Sequence, residues 1–169
     1  MKINGMVTIR PQMIKDAAAF YKILNEGHFQ YFTMNVASIE AEKRFLRRSR
    51  KEWQKESAFN FTVMLGSKVI GAVGIMPESG RSYNAEIGYF IDRELHGKGY
   101  ALQAVIQAEQ FALVFRPEIQ RLQAIIAVDN APSIRVVEKA GYKREGCLKS
   151  YLKCGEQHLD AYIYGKILR

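Results

Sequence analysis

The 169-residue sequence predicts one α/β (α+β) domain spanning 1–169, built on a mixed, largely antiparallel sheet with helices on both faces. Three observations carry this expectation. Apolar segments of strand and helix period follow the order β-α-α-β-β-β-α-β-α-β-β, with no linker, repeat or low-complexity stretch between them. The pairs Gly66-Ser67 and Cys154-Gly155 join neighbouring strand candidates by tight turns, which make antiparallel partners. The run AEIGYFIDRELHGKGYAL, Ala85 to Leu102, carries an apolar strand through a charged turn and a glycine pair straight into a helix.

Met6–Arg10 reads as a short strand stopped by Pro11. Ile14, Ala17, Ala18, Tyr21 and Leu24 have helical spacing, so a first helix runs through Asn25 and ends at Gly27. Beyond an aromatic loop, Ser38 suits an N-cap and Glu40 and Glu42 suit the first turn of a second helix ending near Lys55. Arg44, Arg47, Arg48, Arg50 and Lys51 on that helix read as a solvated face or a binding patch. Strands follow at Phe59–Leu65, Lys68–Met76 and Asn84–Ile91, with a loop from Pro77 to Ser82. The helix after the glycines places Ala101, Ala104, Val105, Ala108, Phe111, Ala112 and Phe115 on one apolar face and stops before Pro117. Leu122–Val128 is a β-branched strand, Ser133 opens a short helix through Lys139, and Gly141 stops it. Tyr142–Leu152 and His158–Ile167 complete the chain as two strands.

Composition narrows the function. Apolar residues make up 48% and charged residues 25%, a balance that suits a packed core and excludes a disordered chain. No apolar run approaches the roughly 20 residues of a membrane span, and the N-terminus lacks a signal-peptide core, so the expected location is cytoplasmic, with no membrane partner. Cys147 and Cys154 fit neither a disulfide framework nor a zinc pattern, and three scattered histidines add no ligand set, so no metal is expected. A net charge of +8 favours anionic partners such as nucleotide cofactors, RNA-rich particles or acidic surfaces, and serves solubility equally well.

A strand that delivers Gly97 and Gly99 to a helix N-terminus is suited to hold a phosphate. Glycine lets the backbone approach closely, the first helical N–H groups point outward, and the helix dipole favours negative charge. Lys98 adds a cation. The segment is not a dinucleotide fingerprint, because no third glycine follows and its strand is not the first. Nor is it a Walker loop, because no G-K-[ST] occurs.

His96-Gly97-Lys98-Gly99-Tyr100-Ala101 resembles the [Q/R]-x-x-G-x-[G/A] loop of the GNAT family of N-acetyltransferases, with His96 in place of the usual Gln or Arg. AEIGYFID, DNAPSIRVVEKAGYKREGCLK and DAYIYGKIL, in that order, resemble the RimJ/RimL branch, which acetylates ribosomal-protein N-termini. The resemblance implies a six- to seven-stranded sheet whose fourth and fifth strands splay into a V holding acetyl-CoA. It implies that Tyr89, Phe90 and Ile91 offer backbone groups to the pantetheine arm, and that His96, Gly97, Lys98, Gly99, Tyr100 and Ala101 wrap the pyrophosphate. Asn130 would hydrogen-bond the cofactor, Ser133 would lie near the thioester sulfur, and Arg135 would hold adenosine phosphates. The chemistry is direct attack of a neutral amine on the thioester, which needs a proton acceptor, oxyanion donors and an acid for the thiolate.

Each position also has a plainer reading. Glu86, in an apolar strand, is either catalytic or acceptor-binding, or a structural carboxylate paired with a cation. Ser133 is either the thiolate's donor or a helix N-cap, and Asn130 either a cofactor ligand or a turn residue. Tyr142 reads as core, while His28 in a loop and His158 near a hairpin tip are weak candidates. In the RimL type a glutamate following the E-G-C-x-K run is the proposed base; the matching position here is Leu152, so that base is missing.

The acceptor expected from these readings is a protein N-terminus, ribosomal or other. A small amine (polyamine, aminoglycoside or amino-acid derivative), a non-catalytic CoA-binding module and a basic RNA-associated protein are the alternatives. The chain has no acidic run for a polycation and no aromatic-plus-basic RNA motif, so no specific nucleic-acid site is expected. Monomer and homodimer both stay open.

Overall fold

The computed structural model describes residues 5–26, 31 and 36–169. The strands are β1 (Val7–Pro11), β2 (Phe59–Leu65), β3 (Lys68–Glu78), β4 (Arg81–Ile91), β5 (Arg121–Ala127), β6 (Lys143–Cys154) and β7 (Gln157–Ile167). The helices are α1 (Ala17–Glu26), α2 (Ile39–Gln54), α3 (Tyr100–Phe115) and α4 (Ala131–Lys139). Single 3₁₀ turns at Ile14–Asp16 and Arg93–Leu95 lead into α1 and into the glycine loop. Gly27 and His28, singled out above, lie outside the described residues.

All seven strands form one sheet in the order β1-β2-β3-β4-β5-β7-β6. Every neighbouring pair is antiparallel except β4 and β5. That parallel pair is joined only at Asn84↔Arg121, Ala85↔Leu122 and Glu86↔Gln123. Beyond Glu86 and Gln123 the two strands continue, to Ile91 and to Ala127, without pairing to each other, and the sheet opens into a V. Asn84 sits at the closed end, its side-chain amide donating to Glu78 and to Gln123 Oε1.

Strand alternation assigns the two faces. Phe61, Val63, Val73, Ile75, Ile87 and Leu122 point to the side where Ala104, Val105, Ala108 and Ala112 of α3 and Val137 of α4 pack. The opposite face carries Ala72 and Phe90 against Ala17, Phe20 and Leu24 of α1 and Leu46 of α2. Helices therefore cover both faces. The α1–α2 layer is anchored by Asp16, whose buried carboxylate takes both Arg10 guanidinium nitrogens, the Thr62 hydroxyl and the Met13 N–H.

Two local expectations are corrected. Pro77–Ser82 is not a loop: β3 runs through Pro77 to Glu78, and β4 starts at Arg81. Proline is tolerated there because the β2 pairing begins only at Phe59↔Ile75, and because the β3–β4 register breaks at Pro77/Glu78. The helix after β5 is not opened by Ser133. It begins at Ala131, and Asn130 is the N-cap, its Oδ1 accepting from the Ser133 N–H at 3.2 Å.

Candidate active site

The open V faces the two structures that the glycine and asparagine motifs build. After β4, the chain turns through His96 and Gly97 (φ +75°) to Gly99 (φ +82°), the N-cap of α3. Both glycines adopt the left-handed conformation, where a side chain is strained. A Cβ at Gly97 would meet no atom within 4 Å, so open space lies beside this backbone. No side chain caps α3. A helix leaves its first N–H groups without intrahelical acceptors, and with the dipole they suit an anion. His96 Nε2 lies 2.8 Å from the Ile91 carbonyl, and Lys98 Nζ reaches the Glu94 carbonyl at 3.4 Å. The loop is thus braced to the end of β4, and its cradle fits a pyrophosphate.

Across the V stands the first turn of α4. Asn130 caps it with its side-chain oxygen, which leaves the amide nitrogen to donate elsewhere. Ser133 occupies the third helical position, half-buried, and its hydroxyl makes no hydrogen bond within the described residues. The competing cap role belongs to Asn130, so the Ser133 hydroxyl is free to donate. The Tyr89 hydroxyl donates to the Ser133 carbonyl at 3.0 Å, tying α4 to β4. Burial pushes the Tyr89 phenol above its usual range, so it stays a donor. Arg135 is exposed on α4.

Glu86 marks the last paired position of β4 with β5 and lies opposite Met76 of β3. It shares the α1–α2 face with Gly88 and Phe90, whereas Tyr89 and Ile91 face α3. Its carboxylate is half-buried and has no hydrogen-bond or ionic partner among the described residues. Burial alone raises its pKa. Among the described residues, no cation pairs with Glu86.

Several candidates lie away from this chemistry. Leu152 is half-buried on β6, opposite Leu159, so the strand offers no base there. Asp160 is already engaged by Lys149 and the Ser150 N–H. His158 is exposed in the β6–β7 hairpin. Tyr142 is fully buried beside the Glu109 carboxylate; burial first and that negative charge second push its phenol up. Glu109 in turn takes Lys166 at 2.6 Å. Among the described residues, no group of three or more His, Cys, Asp or Glu converges to hold a metal, and no helix is long and apolar enough to cross a membrane. Sequence reading missed the Tyr89 hydroxyl and the polar side chain of Asn60, which shares the face of Glu86. The period-2 alternation of β2 and β4 was the signal that contained both.

An open parallel strand pair beside a glycine-turned helix N-terminus is a site for a nucleotide-bearing acyl donor. The acetyltransferase (GNAT) domain profile matches residues 6–143, and the chain belongs to that family. It is an acetyl-CoA-dependent N-acetyltransferase. The chain is 27% identical over 156 residues to the probable N-acetyltransferase YjcK of Bacillus subtilis (strain 168), covering 87% of this chain and 86% of that protein. It is 29% identical over 115 residues to the ribosomal-protein-serine acetyltransferase of Escherichia coli (strain K12), covering 68% of this chain and 64% of that protein. The fold matches the structure of RimL, the ribosomal L7/L12 α-N-protein acetyltransferase in complex with coenzyme A, with TM-score 0.87 at 20% identity, covering 98% and 96% of the two chains.

Proposed function

We propose that this enzyme acetylates the α-amino group of a protein N-terminus, with Glu86 and Ser133 as its two proton-handling groups. The observation that carries the reading is Glu86: a partly desolvated carboxylate with no partner among the described residues, at the point where β4 and β5 separate. An unpaired carboxylate in a half-buried site is costly unless something positive visits it, and an ammonium does. Its raised pKa also matches a base better to neutral pH than an ordinary carboxylate.

Acetyl-CoA supplies an activated acetyl thioester. In this reading the glycine cradle from His96 to Ala101 holds the pyrophosphate, with Lys98 beside it. The unpaired edge of β4 through Tyr89, Phe90 and Ile91 offers backbone hydrogen bonds along the pantetheine arm. The Asn130 amide nitrogen donates to the cofactor, and Arg135 serves its adenosine phosphates. Glu86 removes the ammonium proton, directly or through water. The neutral nitrogen attacks the thioester carbon and the C–S bond breaks; the Ser133 hydroxyl hydrogen-bonds the departing thiolate, which takes up the proton that the nitrogen loses as the amide forms.

The absence of a carboxylate at Leu152 sharpens the acceptor. A lone, moderately basic carboxylate deprotonates an α-ammonium, of unperturbed pKa about 8, far more easily than a lysine at about 10.4. Mass spectrometry of a peptide that carries both a free N-terminus and an internal lysine tests this. Acetylation of the α-nitrogen is the expected result, and acetylation of lysine alone contradicts the reading.

A further inference from the structure

Between Phe90 and Glu86, strands β3 and β4 put only glycines on the α1–α2 face of the sheet. Gly74 of β3 pairs directly with Gly88 of β4, so two neighbouring strands present no side chain at the same level. Asn60 of β2 is the next residue in that row, opposite Gly74. Its amide lies over Gly74, with Oδ1 2.4 Å from where a Cβ there would sit. Among the described residues, a Cβ at Gly88 would meet only Met76 Cε, at 3.8 Å. The floor is therefore bordered by Ala72 and Phe90 on one side and by Met76 and Glu86 on the other.

The border carries two polar side chains. Neither the Glu86 carboxylate nor the half-buried Asn60 amide makes a side-chain hydrogen bond within the described residues. Glu86 stands about 7 Å along β4 from Gly88, and Asn60 about 10 Å from it across two strands. With their side chains extended inward, that spacing suits an amino group at one end and the first peptide group at the other. Gly88 between them leaves room for whatever branches from the intervening Cα.

Building on the proposed N-terminal acetylation, we propose that the Gly74–Gly88 floor is the pocket for the acceptor's first residue. Glu86 receives the amino group and Asn60 hydrogen-bonds the first peptide group. Gly88 determines which first side chains fit. Its role is specificity, not fold: it has ordinary space for a methyl group and does not adopt a left-handed conformation.

The test uses a panel of peptides identical except for the first residue, Gly, Ser, Ala or Leu, with wild type, Gly88→Ala and Asn60→Ala. Gly88→Ala should keep its thermal unfolding temperature and acetyl-CoA binding, keep its kcat/KM on the Gly peptide, and lose roughly 10-fold or more on the others, as one methylene in a filled pocket does. Asn60→Ala should raise KM for the peptides and leave KM unchanged for a simple primary amine that has no peptide group. Equal kcat/KM ratios across the panel for wild type and Gly88→Ala, or an Asn60→Ala variant that binds the peptides normally, overturn the pocket while N-terminal acetylation stands. A wild-type enzyme that acetylates no peptide of the panel overturns both.

Discussion

The Tyr89 hydroxyl donates to the Ser133 carbonyl at 3.0 Å, so one hydrogen bond joins the open strand β4 to the first turn of α4. It links the side of the V that carries Glu86 to the side that carries Ser133. Tyr89→Phe removes the donor and keeps the ring. A loss of about 1 kcal/mol in unfolding free energy is expected from the lost hydrogen bond, with a several-fold fall in kcat as the α4 turn loosens. Denaturant titration and steady-state kinetics check both; an unchanged kcat removes the bond from the account.

Ser133 and Asn130 separate by stability. Asn130 is the cap, so Asn130→Ala should cost about 1 kcal/mol of stability. Ser133→Ala should leave stability within about 0.5 kcal/mol and lower turnover roughly 10- to 100-fold. Chemical denaturation of the two variants, set beside their turnover, reads the difference. A Ser133→Ala enzyme with full turnover excludes the hydroxyl as donor.

Asp16 predicts the acid behaviour of the α1–α2 layer. Its carboxylate is 2% exposed, yet its pKa is lowered. Burial pushes it up, and hydrogen bonds from Arg10, Thr62 and Met13 outweigh burial. A carboxylate depressed in the folded state contributes stability above its unfolded pKa, near 3.9, and loses it as pH falls through the folded value. Asp16→Asn should destabilise by about 3 kcal/mol at neutral pH, since it leaves Arg10 without its partner. The variant should also lose part of the acid-induced decline of the wild type, read from unfolding curves between pH 7 and pH 3.

Much of this architecture is legible in the sequence because local chemistry and tertiary packing agree. The α3 pattern survives as the buried stripe Ala104, Val105, Ala108 and Ala112, because a helix on a sheet must bury one face, whereas Phe115, expected on that face, is exposed at the helix end. The glycine cradle is legible because glycine adopts the left-handed turns at Gly97 and Gly99 without strain. The Pro77 hairpin was not, because whether proline interrupts a strand depends on where the neighbouring strand ends. The cap of α4 was misplaced from Asn130 to Ser133 because both residue types cap well, and only the backbone path at Asn130 decides between them. Nor does sequence reveal what surrounds Glu86, since its neighbours come from β3 and β5, whose order in the sheet is a tertiary fact.

Glu86→Gln distinguishes a functional carboxylate from a structural one by sign. With the folded pKa raised by burial, the charged form is the disfavoured one, so its contribution to stability is present at low pH and is lost as pH rises through the folded pKa. Glu86→Gln should therefore be at least as stable as wild type at neutral pH, while turnover falls roughly 100-fold and the acid limb of the pH–rate profile flattens. A carboxylate serving the fold through a charge partner would give the opposite: lower stability with normal turnover.

The most direct measurement follows one peptide with a free N-terminus and an internal lysine, together with its N-terminally blocked twin, incubated with enzyme and acetyl-CoA. Thiol release and the position of the added acetyl group are read together. The predicted result is stoichiometric CoA release with a single acetyl on the α-nitrogen of the free peptide, and neither release nor acetylation above background with the blocked one. Equal release with both peptides, or acetyl found only on lysine, contradicts the assignment of this enzyme to protein N-termini.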